Sequence, residues 1–280
     1  RRQSQYASGR RTLATGDDAR MEGAIVNYSV RLDGKVALVT GGSRGLGAAM
    51  SRGLAASGAR VVVASRDLGS CEALAKDIRA AGGEALAVGA DTAAPGSLDA
   101  LLDAAYAEYG RLDILVNNAG INVGFRPLSE LSVDDFDAMV AVNLRGPWYL
   151  ASRAAPRMGA QGGGSIVNVI SVGGLKPSAW LGPYAATKAG LHALTKVMAQ
   201  EWAPLQIRVN AIAPGSYHSD LFDGTAKALP GFEAGATQAS VMKRVAATEE
   251  ILGPLLYLVS DAASFTTGAT LVADGGFLTL

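Results

Sequence analysis

Seven short apolar runs alternate with longer Ala-rich stretches of helical period, which predicts an α/β protein built on one doubly wound, parallel, seven-stranded sheet with helices on both faces. Three observations carry that prediction. The runs are hydrophobic almost without interruption, as strands covered on both faces require. They are separated by segments such as LGAAMSRGLAASG and LDALLDAAYAEYG, where apolar residues recur at three- and four-residue spacing. No linker-like tract breaks the alternation, so residues 31–280 are expected to form a single domain.

In chain order the strands are expected at KVALVT (35–40), RVVVAS (60–65), EALAVGA (84–90), LDILVNN (112–118), GSIVNVIS (164–171), IRVNAIA (207–213) and TLVADGG (270–276). The stretch ahead of them, residues 1–30, is polar, Arg-rich and without hydrophobic period, and reads as a disordered or added extension. Asp17 and Asp18 argue against an organellar transit peptide, and Met21 is a possible natural start.

Composition narrows the function classes. Lys plus Arg equals Asp plus Glu at 25 each, so no global field draws the chain to nucleic acid or an anionic membrane. A single cysteine, Cys71, excludes an intramolecular disulfide and suits a reducing, cytoplasmic setting. No stretch approaches the run of about 18 apolar residues that a membrane span needs. The two histidines, His192 and His218, form no metal-ligand spacing, so no metal is expected.

In doubly wound sheets ligands sit beyond the carboxyl ends of the strands. The first such end runs into GGSRGLG (41–47) and then a helix. Gly41 allows a tight turn, Gly45 a close backbone approach and Gly47 close helix–strand packing, while Ser43, Arg44 and Leu46 complete a loop whose amides would face a pyrophosphate. At the second strand end, where an NAD site usually places an acid for the ribose, the chain has Ser65 followed by Arg66. Arg44 and Arg66 together would grip a 2′-phosphate, favouring NADP(H) over NAD(H). Asp67 is the feature that fits this least, since it can pair with an arginine instead.

Gly41–Gly45 also satisfies G-x-S-x-G, the nucleophile elbow of serine hydrolases, with Ser43 as nucleophile and His218 downstream. That elbow normally follows several strands, and here it follows the first. A third possibility is a catalytically silent scaffold that binds a dinucleotide for regulation or assembly.

Farther on, GPYAATKAG (182–190) places Tyr184 and Lys188 four residues apart, on one face of a helix. Alone the pair means little, since a chain of this length with 8 tyrosines holds a Tyr-x-x-x-Lys by chance about once in two or three sequences. Pro183 favours a helix start, which puts Tyr184 in the first turn, where the helix dipole favours a phenolate. An ammonium ~4 Å away at an effective dielectric of ~20 contributes roughly 4 kcal/mol, enough to bring a tyrosine from about 10 to near 7. Such a tyrosine can donate a proton to a developing alkoxide, with Ser171, at a strand end, holding the substrate oxygen.

The ordered set TGGSRGLG (40–47), NNAG (117–120), Ser171, Tyr184-x-x-x-Lys188 and Pro214-Gly215 resembles the short-chain dehydrogenase/reductase family, over nearly all of residues 31–280. The resemblance implies a Rossmann-type sheet with strand order 3-2-1-4-5-6-7. It implies that Asp91 contacts the adenine, that Asn118, Ala119 and Gly120 line the cofactor, and that Asn143 completes a tetrad with Ser171, Tyr184 and Lys188. Lys188 would also bond the nicotinamide ribose, Pro214 and Gly215 would border the cofactor, and Ser219 stands where the family often has a threonine on the cofactor's amide. The implied activity is hydride transfer between a nicotinamide and a ketone or secondary alcohol.

The segment after Gly215, to about residue 245, shows weak period and reads as a long substrate lid. Trp180, Leu181, Ile121, Phe125 and Tyr217 are candidate pocket walls, and His218 is a weaker candidate to face substrate. Lys176, Lys243 and Arg244 are candidate basic residues at its mouth, which a carrier-protein substrate would want. The family is commonly tetrameric, and the Ala-rich helices at 132–158 and 184–202 offer self-complementary faces.

Overall fold

The computed structural model describes residues 30–280. Its element order is β1 (Val36–Thr40), α1 (Gly45–Ala56), β2 (Arg60–Ser65), α2 (Leu68–Ala80), β3 (Glu84–Gly89), α3 (Pro95–Tyr109), β4 (Ile114–Asn117) and α4 (Val133–Val140). It continues with α5 (Gly146–Ala160), β5 (Gly164–Val169), α6 (Gly182–Trp202), β6 (Ile207–Pro214), α7 (Asp220–Ala228), α8 (Phe232–Ala239), α9 (Leu252–Val259) and β7 (Thr270–Ala273). The expectation for residues 1–29 lies outside the described residues.

All seven expected strands are present, trimmed by one to three residues at some ends, and all pair in parallel in the order β3-β2-β1-β4-β5-β6-β7. The near-continuous hydrophobicity has its reason in the two cores. Alternate side chains of one strand serve opposite faces. Ala37 and Val39 of β1 pack with Met50, Cys71, Ile78 and Leu255, from α1, α2 and α9. Val36 and Leu38 pack with Leu101, Leu150, Met158 and Met198, from α3, α5 and α6. Every residue from Val36 to Val39 is therefore fully buried, and the chain switches direction across the sheet between β1 and β4, where a crevice opens.

Two features depart from the sequence-based expectation. The lid is ordered as the two short helices α7 and α8, where a loop was expected. Ser219 caps the first, its Oγ accepting from the Phe222 amide at 3.3 Å. Between α4 and α5 the helix also runs through a π-helical turn, Ala141–Arg145, which carries Asn143. Such turns push one residue out of the regular ladder and occur mostly at functional sites.

Candidate functional site

Beyond the carboxyl ends of β1 and β4–β6 lies a cavity of about 1130 Å³. Its lining includes Gly41, Ser43, Arg44, Gly45, Leu46, Gly47, Ser65, Arg66, Asp91, Asn118, Ala119, Gly120, Pro214, Gly215 and Ser219. Ser171, Tyr184 and Lys188 line it too. Residues spread over nearly the whole chain thus meet in one place. Asn143 sits just behind, fully buried.

The glycine loop is fixed through its backbone. The Gly42 amide donates to the Ala64 carbonyl at 3.0 Å, and the Asn118 side-chain amide donates to the carbonyls of Thr40 and Gly41 at 3.0 and 3.1 Å. A Cβ at Gly47 would fall onto the Gly41 carbonyl oxygen, so α1 approaches the loop as only glycine permits. Arg44 precedes α1 without a side-chain cap, which leaves the first amides of the helix free. An uncapped helix start of twelve residues facing a cavity suits a pyrophosphate, and the residues present fit a dinucleotide.

At the second strand end, Ser43 donates its hydroxyl hydrogen to Ser65 Oγ at 2.9 Å, and Ser65 donates to the Asp67 carbonyl at 3.1 Å. Asp67 caps α2, accepting from the Ser70 amide and hydroxyl, which holds its carboxyl below the usual range. Asp67 therefore stays a carboxylate, bound to the start of α2 and bordering the same cavity as Arg66. Arg44 and Arg66 both border the cavity, and Arg44 also reaches a carboxylate. Its Nε lies 3.3 Å from Asp220 at the start of α7, both side chains being exposed. Asp91, on the cavity lining, accepts from the Ala93 amide through Oδ1 at 2.9 Å.

At the other end the polar groups are buried. Pro183 and Tyr184 lie in the first turn of α6, as expected. Lys188, 3% exposed, donates from Nζ to the Val169 carbonyl at 2.8 Å, and its Nζ lies 5.8 Å from the centre of the Tyr184 ring. Asn143 accepts from the Ile121 amide and donates to the Ile121 carbonyl, both at 2.8 Å, and donates to Thr187 Oγ1 at 3.3 Å. Gly120 closes the group, since a Cβ there would meet Lys188 Nζ at 3.3 Å and Asn143 Oδ1 at 3.5 Å. Ser171 accepts from the Gly173 amide at 3.1 Å, so it does cap the following turn, and its hydroxyl hydrogen is left for Tyr184 or a substrate oxygen.

The electrostatics correct one expectation. Burial pushes the Tyr184 phenol above its ordinary value, with Ser171 pulling back part of the way through hydrogen bonding. Burial also brings Lys188 down to about 8. The expected fall of the tyrosine toward 7 took a charged ammonium ~4 Å from the phenolate at an effective dielectric of ~20. Here the ammonium donates to the Val169 carbonyl, 5.8 Å from the ring centre, and burial is the leading cause of both shifts.

Of the expected pocket walls, Ile121, Phe125, Leu181 and Tyr217 line the cavity, whereas Trp180 is 58% exposed and lies outside its lining. His218 pairs with Asp223 at 3.5 Å and packs edge-on to Phe222. Sequence reasoning missed Thr40, whose Oγ1 accepts from the amides of Asn118 and Ala119. It also missed the buried Asn168, which bonds Asn117 and Thr195 at 2.9 Å each and ties β4, β5 and α6 together. An asparagine inside the apolar run GSIVNVIS was the available signal for it.

A family model described as short chain dehydrogenase matches residues 35–229. The chain is 38% identical over 253 residues to a D-threitol dehydrogenase of Mycolicibacterium smegmatis, covering 90% of this chain and 96% of that protein. It is 41% identical over 245 residues to a cis-4-hydroxycyclohexanecarboxylate dehydrogenase of Sinomonas cyclohexanicum, covering 87% and 96%. A gluconate 5-dehydrogenase from Burkholderia cenocepacia, solved in complex with NADP and tartrate, superposes with a TM-score of 0.86 at 35% identity, covering 90% of this chain and 98% of that one. The cavity of free helix amides, buried Lys188 and strand-end Ser171 thus lies in a chain that belongs to the short-chain dehydrogenase family, oxidoreductases acting on alcohol and carbonyl groups.

Proposed function

We propose that this chain is an NADP(H)-preferring ketone reductase and secondary-alcohol dehydrogenase with Tyr184 as its acid/base group. The observation that carries the reading is the meeting of Ser171, Tyr184 and Lys188 with the glycine loop around one cavity, backed by Asn143. A bound nicotinamide cofactor supplies or takes the hydride. The chain does the rest. Ser171 donates its hydroxyl hydrogen to the substrate oxygen and orients it, and the Tyr184 phenol delivers the proton as the alkoxide develops. Lys188 stabilises the resulting phenolate and passes a proton toward it. Asn143 and the Ile121 carbonyl hold a polar exit behind Lys188.

NADP(H) is favoured because Ser65 stands where an acid would repel a 2′-phosphate, and because Arg44 and Arg66 both border the cavity. The dehydrogenases with NADP in their solved complexes accord with this preference. A homotetramer accords with the exposed Val133, Phe136 and Trp148 on α4 and α5, and a cytoplasmic setting with the single buried Cys71. The hydrolase reading is not favoured, since Ser43 donates its hydroxyl hydrogen to Ser65 rather than to a histidine and the chain's relatives are dehydrogenases. No helix of the described residues is long and apolar enough to cross a membrane.

The test is Tyr184→Phe, assayed with NADPH and a panel of ketones and with NADP⁺ and a panel of alcohols. It should bind NADPH normally by fluorescence titration and lose about 10²–10⁴-fold in kcat. Normal turnover by the variant would refute the tyrosine mechanism, and a wild type inactive across both panels would favour the silent scaffold.

A further inference from the structure

The proton-transfer machinery leaves one buried hydroxyl beside it without a role. Thr187 stands between Tyr184 and Lys188 on α6 and is 2% exposed. Its Oγ1 donates to the Tyr184 carbonyl at 2.7 Å and accepts from the Asn143 side-chain amide at 3.3 Å. A threonine inside a helix commonly returns its hydroxyl to a carbonyl one turn back, so the first of these bonds is ordinary. The second is not local. It joins residues 44 apart in sequence, one on the π-helical turn and one on α6.

The donors and acceptors around Asn143 give this second bond its meaning. A side-chain amide offers one oxygen and two N–H hydrogens. The oxygen accepts from the Ile121 amide, and one hydrogen goes to the Ile121 carbonyl, both at 2.8 Å. The other hydrogen has Thr187 Oγ1 as its partner. Thr187 has its own hydrogen on the Tyr184 carbonyl, so it meets Asn143 as an acceptor. A continuous line of bonds therefore runs from the segment after β4, through the π-helical turn, into the first turn of α6. Without the hydroxyl, an N–H of the fully buried Asn143 loses its acceptor, a larger loss than the net worth of one bond. A shift of the π-helical turn or of the α6 start relieves it, and the α6 start carries Tyr184.

Taking the tyrosine mechanism as given, we infer that Thr187 is a positioning residue, which keeps the Asn143 amide and the turn that carries Tyr184 in register and so aims the phenol at the substrate oxygen. Thr187 lies outside the cavity lining and acts only through those two residues. A misplacement of about 1 Å at a reacting group can cost about 10²-fold in rate, so even a fraction of that shift is measurable.

The test measures kcat, NADPH affinity and the solvent deuterium isotope effect for Thr187→Val in the full chain, with NADPH and the ketone of the panel that the wild type reduces fastest. The variant should lose about tenfold in kcat, the scale of one buried donor left without its acceptor, and bind NADPH within about twofold of wild type. Its isotope effect should exceed that of wild type, because a misaimed phenol slows proton delivery relative to the other steps. Thr187→Ser keeps the hydroxyl and should restore both. In Asn143→Ala, which removes the donor, Thr187→Val should cost little more. If valine prevents folding, Thr187→Ala is measured in the same way. A role in stability alone would lower the melting temperature and leave kcat per folded molecule and the isotope effect in place, and that result overturns the inference. So does a loss of kcat that serine does not restore. A wild type that binds NADPH and turns over no ketone or alcohol, or full turnover by Tyr184→Phe, defeats the tyrosine reading itself, and neither result depends on a change at Thr187.

Discussion

The two ends of the cavity solve different problems with different materials. At the glycine-loop end the fixed parts are backbone: helix amides, carbonyls held by Asn118, and a Gly47 that touches the Gly41 carbonyl. The side chains there, Arg44 and its partner Asp220, are 74% and 58% exposed and make a pair that water and salt screen. At the Tyr184 end the fixed parts are side chains. Lys188 and Asn143 are buried, and they spend their hydrogen bonds on the backbone of Val169 and Ile121 and on the Thr187 hydroxyl. Binding a phosphate at an open edge needs only an oriented set of donors. Moving a proton needs groups whose charge states are set by a dry environment.

This contrast orders the effects of substitution. The largest falls at the buried end. Lys188→Met should lower kcat by about 10²–10³-fold, since it removes both the charge beside the phenolate and the proton path. The pH profile gives a second reading. Burial depresses Lys188 to about 8, so kcat/KM for ketone reduction should fall as pH rises through that region in the wild type. The inflection should vanish in the variant, and a wild-type profile flat between pH 7 and 9 would contradict the assignment. Stability carries the opposite sign. Below about 8 the folded state holds a charged ammonium out of water, and the unfolded chain keeps its proton up to the ordinary lysine value of 10.5. The unfolded state therefore binds more protons between these values, and the Lys188 contribution to stability rises with pH across that window.

The backbone at the glycine end should prove nearly as strict. Gly47→Val places atoms on the Gly41 carbonyl and should weaken NADPH binding by at least about 100-fold, with a lowered melting temperature. Calorimetry of the variant decides this, and unaltered NADPH affinity would mean that the loop does not hold the pyrophosphate. The smallest effect belongs to the exposed side chains. Arg66→Asp should weaken NADPH by about tenfold and leave NADH nearly unchanged. Equal losses for both cofactors would sink the NADP(H) preference and with it the reading of Ser65.

The fold was almost fully legible, because continuous burial on two faces writes itself into runs such as RVVVAS, and alternation of such runs with helices admits few topologies. The lid was less so. Helices α7 and α8 are short and take their order from packing, Phe222 and Phe232 meeting each other across them, rather than from a strong period of their own. Likewise the π-helical turn at Asn143 follows from what Asn143 bonds across the crevice, at Ile121 and Thr187, and no local pattern announces it.

The sequence by itself determined the sheet, the strand ends and the residue types gathered there, since periodicity and glycine spacing are local properties of a chain. Tertiary structure decided the protonation balance and the pairings. Whether Lys188 draws a phenol down or is itself brought to about 8 depends on how much water surrounds it, and that is fixed by α6 packing on β5. Whether Arg44 has Asp220 as a partner depends on where α7 comes to rest. Burial and orientation are sums over residues distant in the chain, and no short window of sequence contains them.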